Sequence, residues 1–96
     1  MNLIQQAIDS RRVVEINYRD KKIRICPMAI GKREGINAVL AAEYTGGKNF
    51  TVQDSLIRLY GFEVMRSILL TSKTFVFNAN HDFYKSHFDE VIYPVT

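Results

Sequence analysis

Alternation of apolar and polar side chains near the N-terminus is the feature that most constrains the fold. Val14, Ile16 and Tyr18 recur at every second position, which is the period of a β-strand with one buried face. The polar residues 19–22 then favour a turn, and a second alternating run begins at Ile23. Two such runs on either side of a short polar turn predict a β-hairpin.

The β pattern continues through the middle of the chain. Residues 36–44 form a nearly continuous apolar run, which predicts a central strand buried on both faces, although its alanines are also compatible with a helix. Turn residues 45–48 follow, and alternation resumes at Phe50 and Val52. Pro27 cannot donate a hydrogen bond to a neighbouring strand, so we expect the second strand to bend there or to lie at an edge.

Helical spacing occurs at both ends of the chain. Residues 1–12 open with Asn2, a good N-cap, and predict a short helix. Its apolar face consists of Leu3, Ile4, Ala7 and Ile8. Residues 80–93 predict a second helix, which Asn80 caps and Pro94 ends. The apolar face of that helix consists of Phe83, Tyr84, His87, Phe88, Val91 and Ile92.

A chain of 96 residues leaves little room for a second core, so we expect one domain over residues 1–96. Residues 13–77 hold the sheet, and short strands with tight turns predict a small curled sheet or an Sm/SH3-like barrel. Within them, residues 54–77 fit strand and short helix almost equally, and Gly61 interrupts them. The expected fold class is mainly β with flanking helices (α+β).

Composition excludes several classes of protein. Hydrophobic residues make up 47% and charged residues 24%, which is typical of a globular domain and not of a disordered chain. No stretch approaches the roughly 20 apolar residues of a membrane span. The single cysteine, Cys26, excludes an internal disulfide and a multi-cysteine zinc site, and we expect a reducing, cytoplasmic setting.

The sequence has no positive signal for catalysis. It lacks a phosphate-binding loop and a dinucleotide fingerprint, and its carboxylates are scattered singly. His81 and His87 are six residues apart and do not form the i, i+4 pair of a helical metal site. We therefore expect no enzyme activity, no cofactor and no metal.

Positive charge is concentrated in one region. Residues 11–33 contain eight Lys and Arg residues and only two acids, Glu15 and Asp20. Such a region attracts phosphates if folding gathers its side chains on one surface. The other interpretation is a solvated surface whose lysines protect strand edges from aggregation.

Basic and aromatic residues are interleaved along the predicted strands, which favours binding of nucleic acid or a nucleotide. Aromatic rings stack on bases while Arg and Lys bind phosphates. The candidate binding residues are Tyr18, Arg24, Tyr44, Lys48, Phe50 and Arg58. The alternative is a core that contains aromatic residues beside exposed cations.

A set of short motifs runs in a fixed order from Leu3 to about Phe75. These motifs are Ala7-Ile8 with Arg11-Arg12, Val14-x-Ile16-x-Tyr18, Arg24-Ile25-Cys26-Pro27 before Ile30, Gly35 before Leu40, and Lys48-x-Phe50-x-Val52. In this order they resemble a WYL domain. The chain departs from the family in having Ala38 and Val39 where the Trp and Tyr of the name would stand. Gln53 and Asp54 lie near the expected Asp-Arg pair, and the nearest arginine, Arg58, is displaced.

The resemblance implies an Sm-like (SH3-type) five-stranded barrel that senses a ligand, often nucleic acid or a nucleotide, and mediates dimerisation. It also implies a setting in transcription regulation, CRISPR systems or phage defence. With no room for a winged helix, the chain would be a stand-alone barrel. We expect the C-terminal helix to cover the barrel or to form a homodimer contact.

Two functional hypotheses follow. The first is a non-enzymatic, WYL-like regulatory module that binds nucleic acid or a nucleotide. The second is a small protein-interaction module, an inhibitor or adaptor of a host protein that a phage or plasmid could encode. A small nuclease ranks last because it would need clustered carboxylates.

Overall fold

The computed structural model describes residues 2–47, 50–77 and 81–94. Two helices and seven strands make up the chain in this part. The helices are α1 (Asn2–Ser10) and α2 (His81–Lys85). The strands are β1 (Arg12–Tyr18), β2 (Lys21–Arg33), β3 (Ile36–Glu43), β4 (Phe50–Thr51), β5 (Ile57–Gly61), β6 (Met65–Val76) and β7 (Glu90–Tyr93).

The strands form one mixed sheet in the order β4-β6-β1-β2-β3-β5, and β7 also pairs with β2. The β4–β6 pair is parallel, and the other pairs are antiparallel. The order has two different ends, so the described strands do not close into a ring. The molecule is a small, mostly β fold with a short N-terminal helix, and the predicted helix at the N-terminus is confirmed.

The predicted hairpin of β1 and β2 is also confirmed. Tyr18 pairs with Lys21, which leaves Arg19 and Asp20 as a two-residue loop. Both loop residues have positive φ, 52° and 65°, as a type I′ turn requires. A second loop of this kind, at Glu34 and Gly35, joins β2 to β3. Arg19 and Asp20 adopt this backbone without the glycine or asparagine that usually occupies it.

Pro27 lies where β2 changes its neighbour. On one side β2 pairs with β1 as far as Ile25 and with β7 from Ile30 onward. Pro27 lies between these two stretches, where its missing N–H breaks no bond to either strand. The pairing of β2 with β3 shifts register between Pro27 and Ala29. Of the two expectations, a bend or an edge position, the structure shows the second locally: one side of β2 has no strand partner at Pro27 among the described residues, and β2 continues through it.

The central strands bury both of their faces. Ile25 and Val39 belong to one apolar cluster, and their chain neighbours Cys26 and Leu40 belong to another. The apolar face of α1 covers the first cluster, and residues near the C-terminus cover the second. These covering residues are Ile4, Ala7 and Ile8 on the first cluster and Phe77, Tyr84 and Phe88 on the second. This arrangement confirms the predicted central strand as β3 (Ile36–Glu43), which is buried on both faces over residues 38–42, whereas Tyr44 lies beyond its end.

The predicted helix over residues 80–93 is wrong beyond Lys85. The helix ends there, and residues 90–93 form β7. The cause lies in β2, whose residues 30–32 extend past the end of its pairing with β1 and accept β7 as a partner. The Asp89 N–H donates to the Lys32 carbonyl at 2.8 Å, which begins this pairing. Asn80, the expected cap, lies outside the described residues.

Residues 54–77 contain both of the structures that their sequence allowed. Short 3-10 turns at Asp54–Leu56 and Phe62–Val64 precede β5 and β6 respectively. Gly61 ends β5, at the interruption seen in the sequence. The second 3-10 turn carries the chain from one end of the sheet, β5, to β6, which pairs with β1.

Candidate ligand-binding surface

A polar cavity of about 540 Å³ lies at the turn end of the β1–β2 hairpin. Its lining consists of Asn17, Arg19, Asp20, Lys22, Glu63, Val64 and Arg66. Three of these side chains are cationic and two are carboxylates, so the cavity has a small positive excess. We call it the polar cavity.

Strand register places the cations of the polar cavity. Asn17 of β1 pairs with Arg66 of β6, so side chains distant in sequence meet here. The Arg66 guanidinium donates to the carbonyl of Glu63 at 2.8 Å and to that of Met65 at 3.2 Å. The Arg19 N–H donates to the Val64 carbonyl at 3.4 Å. The side-chain bonds fix the guanidinium of Arg66, and the backbone bond of Arg19 ties the hairpin loop to the 3-10 turn before β6.

A row of charges continues from the polar cavity along the hairpin. Glu15 lies 3.3 Å from the Lys22 Nζ and 3.4 Å from the Arg24 Nε. The hydrogen bond from Lys22 is the main cause that lowers the pKa of Glu15, burial opposes it, and Arg24 lowers it further. Both cations are well exposed, with 70% and 50% of their side chains accessible. They are therefore ordered by Glu15 and still open to a ligand.

A second cavity, of about 390 Å³, contains two tyrosines. Its lining consists of Tyr18, Glu43, Leu56, Arg58, Leu59 and Tyr60. The rings of Tyr18 and Tyr60 meet edge to face, with centroids 5.1 Å apart. Burial raises the pKa of Tyr60, the nearby charge of Glu43 raises it further, and Arg58 opposes both. We call this the tyrosine cavity.

The two cavities meet at consecutive residues of the hairpin. Tyr18 lines the tyrosine cavity and Arg19 lines the polar cavity. The Arg19 guanidinium carbon lies 5.7 Å from the centroid of the Tyr18 ring, within the range of a cation–π contact. The tyrosine cavity and the cations of the polar cavity therefore lie on opposite faces of the hairpin and meet at its turn end, through Tyr18 and Arg19.

The structure divides the binding residues that the sequence suggested. Tyr18 and Arg58 lie together in the tyrosine cavity. Arg24 lies in the charged row, on the face of the hairpin opposite to Tyr18. Tyr44 is buried, its hydroxyl donates to the Gly47 carbonyl at 2.9 Å, and its ring packs on Phe50 at 5.1 Å. Lys48 lies outside the described residues. Ligand binding by each of these six residues stays a prediction.

Most residues that line the two cavities were not among the six predicted binding residues, and Glu43, Tyr60, Glu63 and Arg66 are the ones that matter for the chemistry of the cavities. Glu43, Tyr60 and Arg66 reach their cavities through pairing between distant strands, and Glu63 through the 3-10 turn before β6, which no local pattern displays. Arg19 and Lys22 did belong to the basic region of the sequence. The positive charge concentrated in residues 11–33 was therefore a sequence signal for the polar cavity. No local pattern distinguished Glu43 from the other surface acids.

Two other side chains with reactive or metal-binding groups, Cys26 and His87, pack against other parts of the protein. Cys26 is fully buried, and burial raises the pKa of its thiol to about 12. The ring of His87 packs on Phe83 at 4.8 Å, and its Nδ1 lies 3.1 Å from the Phe83 carbonyl. Across residues 2–47, 50–77 and 81–94, no three His, Cys, Asp or Glu side chains are grouped to hold a metal ion.

Comparison with known proteins finds no relative of this chain. No family model, no curated protein and no solved structure matches this chain. The resemblance to WYL domains therefore stays a prediction from motifs. Neither helix in the described part of the chain has the length and apolar content needed to cross a membrane.

Proposed function

We propose that the protein is a non-enzymatic binding module for single-stranded nucleic acid or a nucleotide, held at the turn end of the β1–β2 hairpin. One observation carries this proposal: consecutive residues, Tyr18 and Arg19, join an aromatic cavity to a cavity lined by cations. A nucleotide has the same two parts, a flat base and an anionic phosphate.

The polar cavity suits the phosphate. Arg19, Lys22 and Arg66 line it, and guanidinium groups bind phosphate oxygens through paired, charge-assisted hydrogen bonds. Asp20 and Glu63 also line it, which favours a ligand that makes several contacts over a free anion. Lys22 and Arg24 extend the positive row along the strand, as successive phosphates of a single strand require.

The tyrosine cavity suits the base. Tyr18 is half-buried and Tyr60 is buried behind it, so the pair presents a fixed aromatic surface. Stacking of a base on such a ring is worth about 1–3 kcal/mol and tolerates every base. A duplex hides its bases, so this cavity favours a single strand or a mononucleotide.

The strand order supports the finer part of the fold hypothesis. The sheet contains five neighbouring strands in the spatial order β6-β1-β2-β3-β5, and a 3-10 turn joins β5 to β6 along the chain. The contacts of Tyr18 with Tyr60 and of Arg19 with Val64 bring β1 toward the β5 end. We infer an Sm-like, WYL-like barrel that is partly open, with a role in ligand-dependent regulation.

Arg19→Asn tests the proposal. Asn accepts the positive φ of 52° at this position more readily than Arg, so we expect the variant to fold at least as stably. Loss of one charge-assisted contact, worth about 1.5–3 kcal/mol, weakens binding about tenfold or more. The slope of log affinity against log salt also falls by about one. Fluorescence polarisation with a labelled single-stranded oligonucleotide across a salt series measures both quantities.

Lys85→Asn is the matched control, because Lys85 is an exposed cation of α2 that lines neither cavity. Its affinity and salt slope should equal those of the wild type. Wild-type protein that binds neither single-stranded DNA nor RNA at low salt would refute the proposal. Equal losses in both variants would place the contact outside the polar cavity.

One observation favours a second candidate, a protein-interaction module. Leu69 of β6 is 58% exposed and lines a cavity beside Glu15 and Lys22. A single exposed leucine is ordinary on a protein surface, but Leu69 shares its cavity with Ile68, and apolar groups rimmed by charged ones are what a protein partner covers. This candidate predicts no salt-dependent binding to nucleic acid and the co-purification of a protein partner, so the same salt series separates the two functions.

A further inference from the structure

The tyrosine cavity contains an acid and a cation that are both free to meet a ligand. The side chains of Glu43 and Arg58 are exposed, and neither side chain forms a hydrogen bond or an ion pair in the part of the chain that the structure describes. Glu15 differs, because Lys22 and Arg24 neutralise it. The carboxylate in the tyrosine cavity is therefore available as a hydrogen-bond acceptor.

Strand register fixes how these two groups are spaced. Arg58 of β5 pairs with Ala41 of β3, and Glu43 follows two residues after Ala41 on the same face. The two side chains are thus diagonal neighbours, with a typical spacing of about 7–8 Å in a sheet. Tyr18 and Tyr60 lie on this face too, so a flat ring between the acid and the cation would also contact an aromatic surface.

We propose that the tyrosine cavity selects guanine. Glu43 accepts hydrogen bonds from the N1–H and the N2 amino group of the base, Arg58 donates to O6, and Tyr18 packs on the ring. This inference rests on the proposed function, and it names the base that the site prefers.

The chemistry of the other bases excludes them from the same arrangement. Adenine and cytosine each present one amino group beside a ring nitrogen whose lone pair repels a carboxylate. Thymine and uracil present one N–H between two carbonyl oxygens, which repel it more strongly. Guanine alone offers two adjacent donors next to an acceptor, so it can satisfy both Glu43 and Arg58.

A single-base series tests the selection at constant phosphate charge. The probes are labelled hexathymidylate and the same DNA with one central thymine replaced by guanine, hypoxanthine, adenine or cytosine. We expect the guanine oligonucleotide to bind the wild type about tenfold more tightly than hexathymidylate, as one bidentate contact provides. Hypoxanthine, which lacks the N2 amino group, should fall between them.

Glu43→Gln should abolish this preference, because an amide oxygen lacks the charge and the second acceptor of a carboxylate. Its affinity for hexathymidylate should stay equal or rise slightly, since an acid has been removed. Glu34→Gln is the matched control: Glu34 is an exposed acid of the β2–β3 turn that lines neither cavity, and this variant should keep the preference for guanine.

The outcomes separate this inference from the proposed function. Salt-dependent binding with equal affinity for all five probes would overturn guanine selection and leave phosphate binding intact. A guanine preference that survives in Glu43→Gln would overturn the role of the carboxylate. Failure of the wild type to bind any probe at low salt would overturn both.

Discussion

Gly31 is the residue at which the sheet and the C-terminal segment come closest. It pairs with Ala38 of β3 on one side and with Val91 of β7 on the other. A Cβ atom added to it would lie 2.6 Å from both the Glu90 carbonyl oxygen and a ring carbon of Phe88. The absence of a side chain at Gly31 therefore lets Phe88 pack on the strand.

Gly31→Ala should destabilise the fold by about 1–3 kcal/mol, the usual effect of overpacking a filled site. Gly61→Ala is the control, because no atom lies within 4 Å of its added Cβ and its φ of −70° suits alanine. Urea unfolding followed by circular dichroism measures both variants. Equal stability of Gly31→Ala and the wild type would show that β7 moves away from β2 at little energetic expense.

At the scale of elements, local patterns predicted α1 and the first three strands because each carries its own period and its own turn. The helix predicted over residues 80–93 was wrong because part of this segment pairs with a strand that is distant in the sequence. Phe83, Tyr84 and Phe88 pack on one cluster, which satisfies helical spacing without a long helix. The partner that makes β7 a strand is β2, far away in sequence.

The candidate site shows the same limit. Tyr18 and Arg58 could be predicted as site residues from the sequence, whereas predicting Glu43 and Arg66 would have required the register of the sheet.

A hydrogen bond between β7 and α1 holds β7 in place. The Tyr93 hydroxyl donates to the Asp9 carboxylate, 2.5 and 2.6 Å from its two oxygens. This bond is the main cause that raises the pKa of Tyr93, and burial and the charge of Asp9 add to it. The folded state therefore holds the phenol proton more tightly than the unfolded state does.

Tyr93→Phe should consequently lower stability at neutral pH, and the difference from the wild type should disappear in alkali. The contribution of Tyr93 is complete below its unfolded pKa, about 10, and is lost as the pH rises through the higher folded pKa. Urea unfolding at pH 7, 9 and 11 measures this convergence. Asp9→Asn, which keeps an acceptor and removes the charge, should give an intermediate loss at pH 7. A constant difference between Tyr93→Phe and the wild type at all three pH values would contradict the assignment.

For the molecule as a whole, the two apolar clusters lie on opposite faces of one sheet and share its central strands. A residue such as Cys26 can therefore reach solvent only if the residues that cover its face, Phe77, Tyr84 and Phe88, move away or the strands around it separate. Cys26 pairs with Ala42 of β3 and packs beside Val13 and Met28 in the second cluster. How far the sheet curls around these clusters depends on the sum of many strand twists, which no single segment of sequence reveals.

Cys26 consequently reports on the opening of the second cluster. Only the thiolate reacts with a disulfide reagent such as Ellman's reagent, and a pKa of about 12 leaves almost none at pH 8. We expect no reaction with the native protein at pH 8, and one thiol per chain in denaturant. At intermediate urea concentrations the reaction rate should follow the unfolded fraction measured by circular dichroism. Rapid reaction without urea would mean that the second cluster opens locally while the sheet stays folded, and Cys26 would then not report on global unfolding.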